Sequence, residues 1–161
     1  MKQPLATVAA PPDDVIEMDE ICLRQSSSLW LWIAISRKAR QVLGFVLGDR
    51  SDTMLPCLWS DIPSDYRDKP VVTDGWRAYA RFFPAHQHHV VEKGSGLTSQ
   101  IEGHHTKWRQ RQSGLVRRSC GVYSGITEDI EERFLILLEQ HNNDKARRFN
   151  RSNYRTTQLN P

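Results

Sequence analysis

Three apolar segments in quick succession decide the fold: VIEMDEICL at residues 15–23, LWLWIAI at 29–35 and VLGFVLG at 42–48. Short polar stretches at 24–28 and 36–41 join them, as is typical of antiparallel hairpins. The second segment is apolar on both faces of a strand, so it should lie in the interior of a sheet. The folded part of the chain therefore begins with three antiparallel strands.

The rest of the chain alternates helices and strands. The pattern predicts a weak helix at 51–59, a strand at 70–73, a short helix after Gly75, a strand at 86–91, a helix from Thr98 or Ser99 to about Gln112, and a last helix from Thr127 to Asn142 or Asn143. This order predicts an α/β fold with a mixed five-stranded sheet, its first three strands antiparallel, flanked by helices. It is similar to the order of the ribonuclease-H-like fold.

Length and composition predict one globular domain. A chain of 161 residues can bury a core of its own. Its three cysteines are far apart and form no CxxC pair, which argues against a zinc knuckle or a disulfide framework and favours a cytoplasmic location. The sequence has no apolar run long enough for a membrane span and no signal-peptide pattern at its start. We expect no organic cofactor.

Three carboxylates stand in settings that suggest a metal site. Asp19 lies in the middle of the first strand, Asp74 directly follows the strand at 70–73, and Glu102 lies on the predicted helix after residue 98. Mg²⁺ prefers carboxylate and water oxygens, so the three predict phosphodiester chemistry. Glu20, on the opposite face of its strand, is the alternative ligand. Asp74 could instead be a turn residue or a helix cap.

Basic residues follow the third carboxylate without an intervening acid. His105 and Arg109 share a helical stripe with Glu102, one and two turns further on. We predict that this region binds phosphate through six residues: His105, Lys107, Arg109, Arg111, Arg117 and Arg118. The histidines at 86, 88 and 89 could imitate a zinc site, but strand alternation points the last two to opposite faces.

Three segments carry a resemblance to a known family: IEMDE at 16–20, VVTDGWRAY at 71–79 and TSQIEGHH at 98–105. They resemble the catalytic half of the transposase of insertion sequence one, which belongs to the DDE class. The resemblance implies that Asp19, Asp74 and Glu102 are the catalytic triad and hold two Mg²⁺ or Mn²⁺ ions. It also implies strand cleavage by water at an element end, followed by attack of the freed 3′-hydroxyl on target DNA.

The resemblance also implies partners and domain limits. The partners are DNA, at element ends and target, and an upstream zinc-binding and helix-turn-helix segment; a homo-oligomer is left open. The location implied is the nucleoid of a bacterium or archaeon. Residues 1–13 are expected to be a linker or junction, 14–143 the catalytic domain, and 144–161 a basic flexible tail. Two alternatives stay open: a stand-alone nuclease or resolvase on the same fold, and a non-catalytic DNA-binding regulatory fragment.

Overall fold

The computed structural model describes Leu5 and residues 8–24, 29–91 and 127–159. Its elements in these ranges are β1 (Ile16–Arg24), β2 (Leu29–Ser36), β3 (Val42–Gly48), α1 (Met54–Asp61), a 3₁₀ turn (Ser64–Tyr66), β4 (Val71–Thr73), α2 (Arg77–Phe82), β5 (His88–Val90) and α3 (Thr127–Leu159). Every strand expected from the pattern of apolar residues is present, and each begins and ends within two residues of the predicted limits.

One mixed sheet organises these elements. Its strand order is β3-β2-β1-β4-β5. The strands β1, β2 and β3 are antiparallel neighbours, whereas β4 lies parallel to β1 and β5 lies parallel to β4. This is the predicted α/β arrangement, with the first three strands antiparallel, and it is consistent with a ribonuclease-H-like fold. The first strand is therefore central, with β2 on one side and β4 on the other.

Helices cover the two faces of the sheet, and β2 is buried between them. On one face, Trp32 and Ala34 of β2 belong to a core that includes residues of α1 and α2. On the other face, Leu31, Ile33 and Ile35 pack in a second core with α3. Because every residue from Leu31 to Ser36 is buried, the interior position predicted for this strand is confirmed.

Helix α3 is longer than its sequence pattern predicts. The sequence predicts Asn142 or Asn143 near its end and a flexible basic stretch beyond, but the helix continues to Leu159. Residues 127–159 contain neither glycine nor proline, and alanine, lysine and arginine, all good helix formers, follow at 145–148. Asn142 does not cap the helix. Its side chain is buried and bonds to the backbone of β3.

The described part of the N-terminal segment contacts the domain. The backbone N–H of Val8 donates to the side chain of Gln41, and the carbonyl of Val8 accepts a hydrogen bond from Tyr66. Leu5 offers its carbonyl to Asn142. The described part of the predicted linker, residues 1–13, is thus bonded to the β2–β3 connection, the 3₁₀ turn and α3.

Candidate active site

Asp19 lies at the centre of the sheet. It pairs in register with Ile33 of β2, so its side chain lies on the face that α3 covers. One carboxylate oxygen accepts the backbone N–H of Glu20 at 2.9 Å, and the residue is half-buried. Glu17 lies on the same face but is fully buried and bonded to Arg37 at 2.6 Å. Asp19 is thus the more accessible of these two carboxylates.

Asp74 follows β4 at the level of Asp19. The parallel register of β1 and β4 pairs Ile16 with Val71 and Glu17 with Val72. Continued by two residues, this register places Asp74 beside Asp19. The Oδ1 atom of Asp74 accepts the backbone N–H of Trp76 at 3.0 Å, so the aspartate also shapes the turn into α2. The turn role considered from sequence holds, and it leaves the second carboxylate oxygen of Asp74 outside this bond.

Glu20 lies on the opposite face of β1. It pairs in register with Trp32, a residue of the core beneath α1 and α2. Oε1 of Glu20 accepts hydrogen bonds from Arg50 at 2.7 and 3.1 Å, and Oε2 accepts one from the hydroxyl of Tyr79 at 2.8 Å. Both of its oxygens are therefore engaged inside the protein. This arrangement explains Glu20 structurally and favours Asp19 as the ligand.

The surroundings of Tyr79 raise the pKa of its phenol. Burial raises the pKa of its phenol well above the usual value, and the charge and hydrogen bond of Glu20 raise it further. The charges of Asp19 and Asp74 contribute in the same direction. The phenol therefore stays protonated and serves as a donor.

Arg50 connects Glu20 to the turn that holds Asp74. Its guanidinium lies over the ring of Trp30, 4.6 Å from the centroid, and over that of Trp76, 5.1 Å away. Such stacking adds a cation–π attraction to the ion pair with Glu20. Since the backbone N–H of Trp76 bonds to Asp74, the contact between Arg50 and the Trp76 ring helps to hold the turn after β4 in place.

Neither Arg50 nor Tyr79 is among the site residues that the sequence pattern predicts. Tyr79 follows Trp76 by three residues in the segment DGWRAY, a spacing that places the two on one helix face and could have suggested it. Arg50 is 30 residues from Glu20 in the chain, and no local pattern joins them.

The remaining predicted site residues lie outside the described residues. They are Glu102, His105, Lys107, Arg109, Arg111, Arg117 and Arg118. Within the part of the chain that the structure describes, no three His, Cys, Asp or Glu side chains form a group that could hold a metal ion. Among the predicted ligands, the described residues include Asp19 and Asp74, which the extended register of β1 and β4 brings to neighbouring positions, and the third ligand stays a prediction.

Among the residues that the structure describes, the histidines of β5 belong to no group that could hold a metal ion. His88 is half-buried, and its Nε2 lies 2.7 Å from the hydroxyl of Thr73, whereas His89 is exposed. Burial lowers the pKa of His88, and the nearby His89 lowers it further. His88 is a structural residue that ties β5 to the end of β4.

A comparison with known protein families matches residues 15–151 to the IS1 transposase family. The chain belongs to that family. The match includes both aspartates and the predicted glutamate, and it extends into the basic part of α3. No curated protein matches the chain.

Membership of a transposase family implies DNA as a partner. In the described ranges of this transposase, no helix is both long enough and apolar enough to cross a membrane.

Proposed function

We propose that this chain is the catalytic domain of a DDE transposase that cleaves DNA strands at the ends of an insertion sequence and transfers them to a target. Asp19, Asp74 and Glu102 are its proposed metal ligands. The observation that supports the proposal is the parallel register of β1 and β4, in which Glu17 pairs with Val72, so that Asp19 and Asp74 each follow two residues later on neighbouring central strands.

The described residues fit a hard divalent ion. Asp19 and Asp74 are both half-buried and supply carboxylate oxygens, which Mg²⁺ and Mn²⁺ prefer. Each uses one oxygen in a backbone hydrogen bond, which fixes the orientation of its carboxylate. An ordered carboxylate pair binds a cation at a smaller cost in side-chain entropy than a mobile pair.

The protein's own residues have a limited chemical task in this proposal. Two bound Mg²⁺ ions would supply Lewis acidity at the attacking and leaving oxygens of the phosphodiester. Asp19 and Asp74 would hold these ions at the carboxyl end of β4, with Glu102 as the proposed third ligand. The network of Glu20, Arg50 and Tyr79 holds β1 and the turn after β4 in place from the opposite face.

Contacts to DNA are proposed for residues that follow the third ligand. Lys107, Arg109, Arg111, Arg117 and Arg118, with His105, would hold the phosphates that flank the cleaved bond. Recognition of the element end is proposed to reside in an upstream zinc-binding and helix-turn-helix segment. The 161-residue chain alone should then bind DNA without sequence preference, with a Kd of about 10⁻⁴ to 10⁻⁶ M at physiological salt.

A nicking assay on supercoiled plasmid tests the proposal. We expect the purified chain to nick the plasmid with Mg²⁺ or Mn²⁺ and not with EDTA. Asp74→Asn should abolish nicking. Asp68→Asn should not, because it makes the same chemical change at an exposed surface residue, whose ion pair within the described ranges is with its neighbour Lys69. Metal-dependent nicking that survives in Asp74→Asn would overturn the assignment.

A further inference from the structure

Helix α3 extends well past Asn142, the last fully buried residue in its described part. Asn142 is buried, and its side chain bonds to both the N–H and the carbonyl of Val42 at 2.8 Å. Beside it, a ring nitrogen of His141 lies 3.0 Å from the carbonyl of Arg40. The helix then continues to Leu159. At 1.5 Å per residue, residues 143–159 span ~25 Å.

This extension is strongly basic. After Asn142 it carries one acid, Asp144, and five cations: Lys145, Arg147, Arg148, Arg151 and Arg155. Arg147, Arg148 and Arg151 are exposed. In the described part of the chain, none of these three forms an ion pair with a carboxylate. With respect to the described residues, their guanidinium groups are therefore open to an anionic partner.

The three arginines form one stripe that faces away from the sheet. Phe134, Leu138 and Asn142, spaced four residues apart, are the buried side of α3. Arg147 and Arg151 follow Asn142 by five and nine residues, which at about 100° per residue turns them roughly 140° and 180° from that side. Arg148 is next to Arg147 on the same exposed surface.

The basic stripe projects from the end of the sheet opposite Asp74. Phe134 of α3 packs against Phe45, with ring centroids 6.5 Å apart, and Asn142 bonds to Val42 at the start of β3. Helix α3 thus runs antiparallel to β3. Since β3 and β1 are both antiparallel to β2, they run in the same direction, and β4 is parallel to β1. Helix α3 therefore runs toward the amino ends of β1 and β4, away from Asp74.

The separation from the carboxylates is too large for one phosphate. The sheet register aligns Val42, Ile35 and Glu17 in one row, and Asp19 lies two residues beyond it, about 7 Å along the strand. Arg147 and Arg151 lie about 7.5 and 13.5 Å beyond Asn142 in the other direction. The stripe and Asp19 are therefore on the order of 15–20 Å apart along the strand direction.

We propose that Arg147, Arg148 and Arg151 form a second DNA-binding surface, which holds backbone phosphates several base pairs away from the bond that is cut. This inference rests on the proposed function, because it takes DNA as the substrate. Guanidinium groups donate in a planar fork that matches phosphate oxygens, and a contiguous positive surface attracts a polyanion over distance. The surface contacts phosphates and not base edges, so its contribution is independent of sequence.

The salt dependence of binding tests this surface. Affinity of the 161-residue chain for a fluorescent duplex, measured by anisotropy in EDTA, should fall with salt along a log–log line. The triple variant Arg147→Ala, Arg148→Ala and Arg151→Ala should bind more weakly at low salt, with a slope shallower by about 2 to 3, close to 0.9 for each lost phosphate contact. Alanine is the best helix former, so circular dichroism should show an intact helix.

The matched control replaces the same three arginines with lysine. Lysine keeps the charge at each position, so the slope should stay close to that of the wild type. A slope unchanged in the alanine variant would overturn the inference. If the alanine variant also changed its oligomeric state in sedimentation while keeping the slope, the stripe would be assigned to contact with a second copy of the chain instead of DNA. Failure of the proposed chemistry is distinct: the wild type would then bind DNA with the expected slope and would not nick it with Mg²⁺.

Discussion

Asp19 and Glu20 are consecutive residues of β1 whose carboxylates lie on opposite faces of the sheet. Asp19 lies on the face covered by α3, in register with Ile33, and Glu20 lies in register with Trp32 on the face covered by α1 and α2. Glu20 is bound by Arg50 and Tyr79. The alternation of a single strand thus separates a carboxylate with a proposed metal role from one with a structural role.

Substitutions at the two residues should therefore have different effects, on nicking for Asp19 and on stability for Glu20. Asp19→Asn keeps an oxygen that can accept the N–H of Glu20, so the free energy of unfolding should change by less than about 1 kcal/mol while nicking falls to the EDTA background. Glu20→Gln removes the negative charge facing Arg50 and should cost about 1–3 kcal/mol. Urea unfolding and plasmid nicking, measured on both variants, check this. Full nicking activity in Asp19→Asn would make Glu20 the better ligand candidate.

Asp74→Asn should remove the dependence of thermal stability on Mg²⁺. The amide oxygen of asparagine can still accept the N–H of Trp76, so the turn is kept. Without metal, relieved repulsion from Asp19 should raise the Tm slightly. Mg²⁺ should stabilise the wild type by about 1.4 kcal/mol when the free ion is at roughly ten times its Kd, and should not stabilise the variant. Thermal melts with Mg²⁺ and with EDTA measure both effects. An equal Mg²⁺ shift in the two proteins would remove Asp74 from the site.

Buried tyrosines predict a loss of stability at high pH. The pKa values of Tyr79 and Tyr66 are both raised in the folded state, first by burial. Such a group contributes stability that is fully present below its unfolded pKa of about 10 and is lost as pH rises toward its folded pKa. Above pH 10 each tyrosine should lower the free energy of unfolding by up to about 1.4 kcal/mol per pH unit.

The variant Tyr79→Phe isolates one of these two contributions. At neutral pH it should be less stable by about 1–2 kcal/mol, because Glu20 loses a buried hydrogen bond. Between pH 9 and 11 it should lose less stability than the wild type. Urea unfolding at several pH values gives both slopes, and parallel pH profiles would show that Tyr79 is already ionised or exposed.

Asn142 should be the main polar anchor of α3. Its side chain satisfies the buried N–H and carbonyl of Val42, and its own carbonyl accepts a bond from Gln41. Asn142→Ala leaves two buried backbone groups without this partner and should cost about 2–4 kcal/mol. Asn143→Ala, at the exposed neighbouring position, should change stability by less than about 0.5 kcal/mol. Equal effects in urea unfolding would mean that α3 is held by its apolar residues alone.

The strands were predictable because their signals are local. The apolar segments at 15–23, 29–35 and 42–48 and the polar breaks between them are enough to predict β1, β2 and β3. The length of α3 was not predictable from its asparagines. An asparagine at position 142 predicts a nearby helix end, yet its side chain bonds to Val42, a residue 100 positions away. An asparagine that ends a helix and an asparagine that bonds to a distant strand cannot be told apart in a single sequence.

The candidate site divides in the same way. The sequence by itself determined which two aspartates are candidate ligands, because an acid within an apolar strand and an acid directly after one are recognisable from a few neighbouring residues. Strand alternation alone separates Asp19 from Glu20. Only the tertiary structure decided that β4 lies parallel to β1 in the register that places Asp74 beside Asp19. It alone also decided that Arg50 and Tyr79 meet at Glu20 and that α3 carries its arginines away from Asp74. The physical reason is that strand propensity and alternation act over a few residues. Register and helix direction, in contrast, are set by which buried surfaces and hydrogen bonds between distant segments are satisfied together.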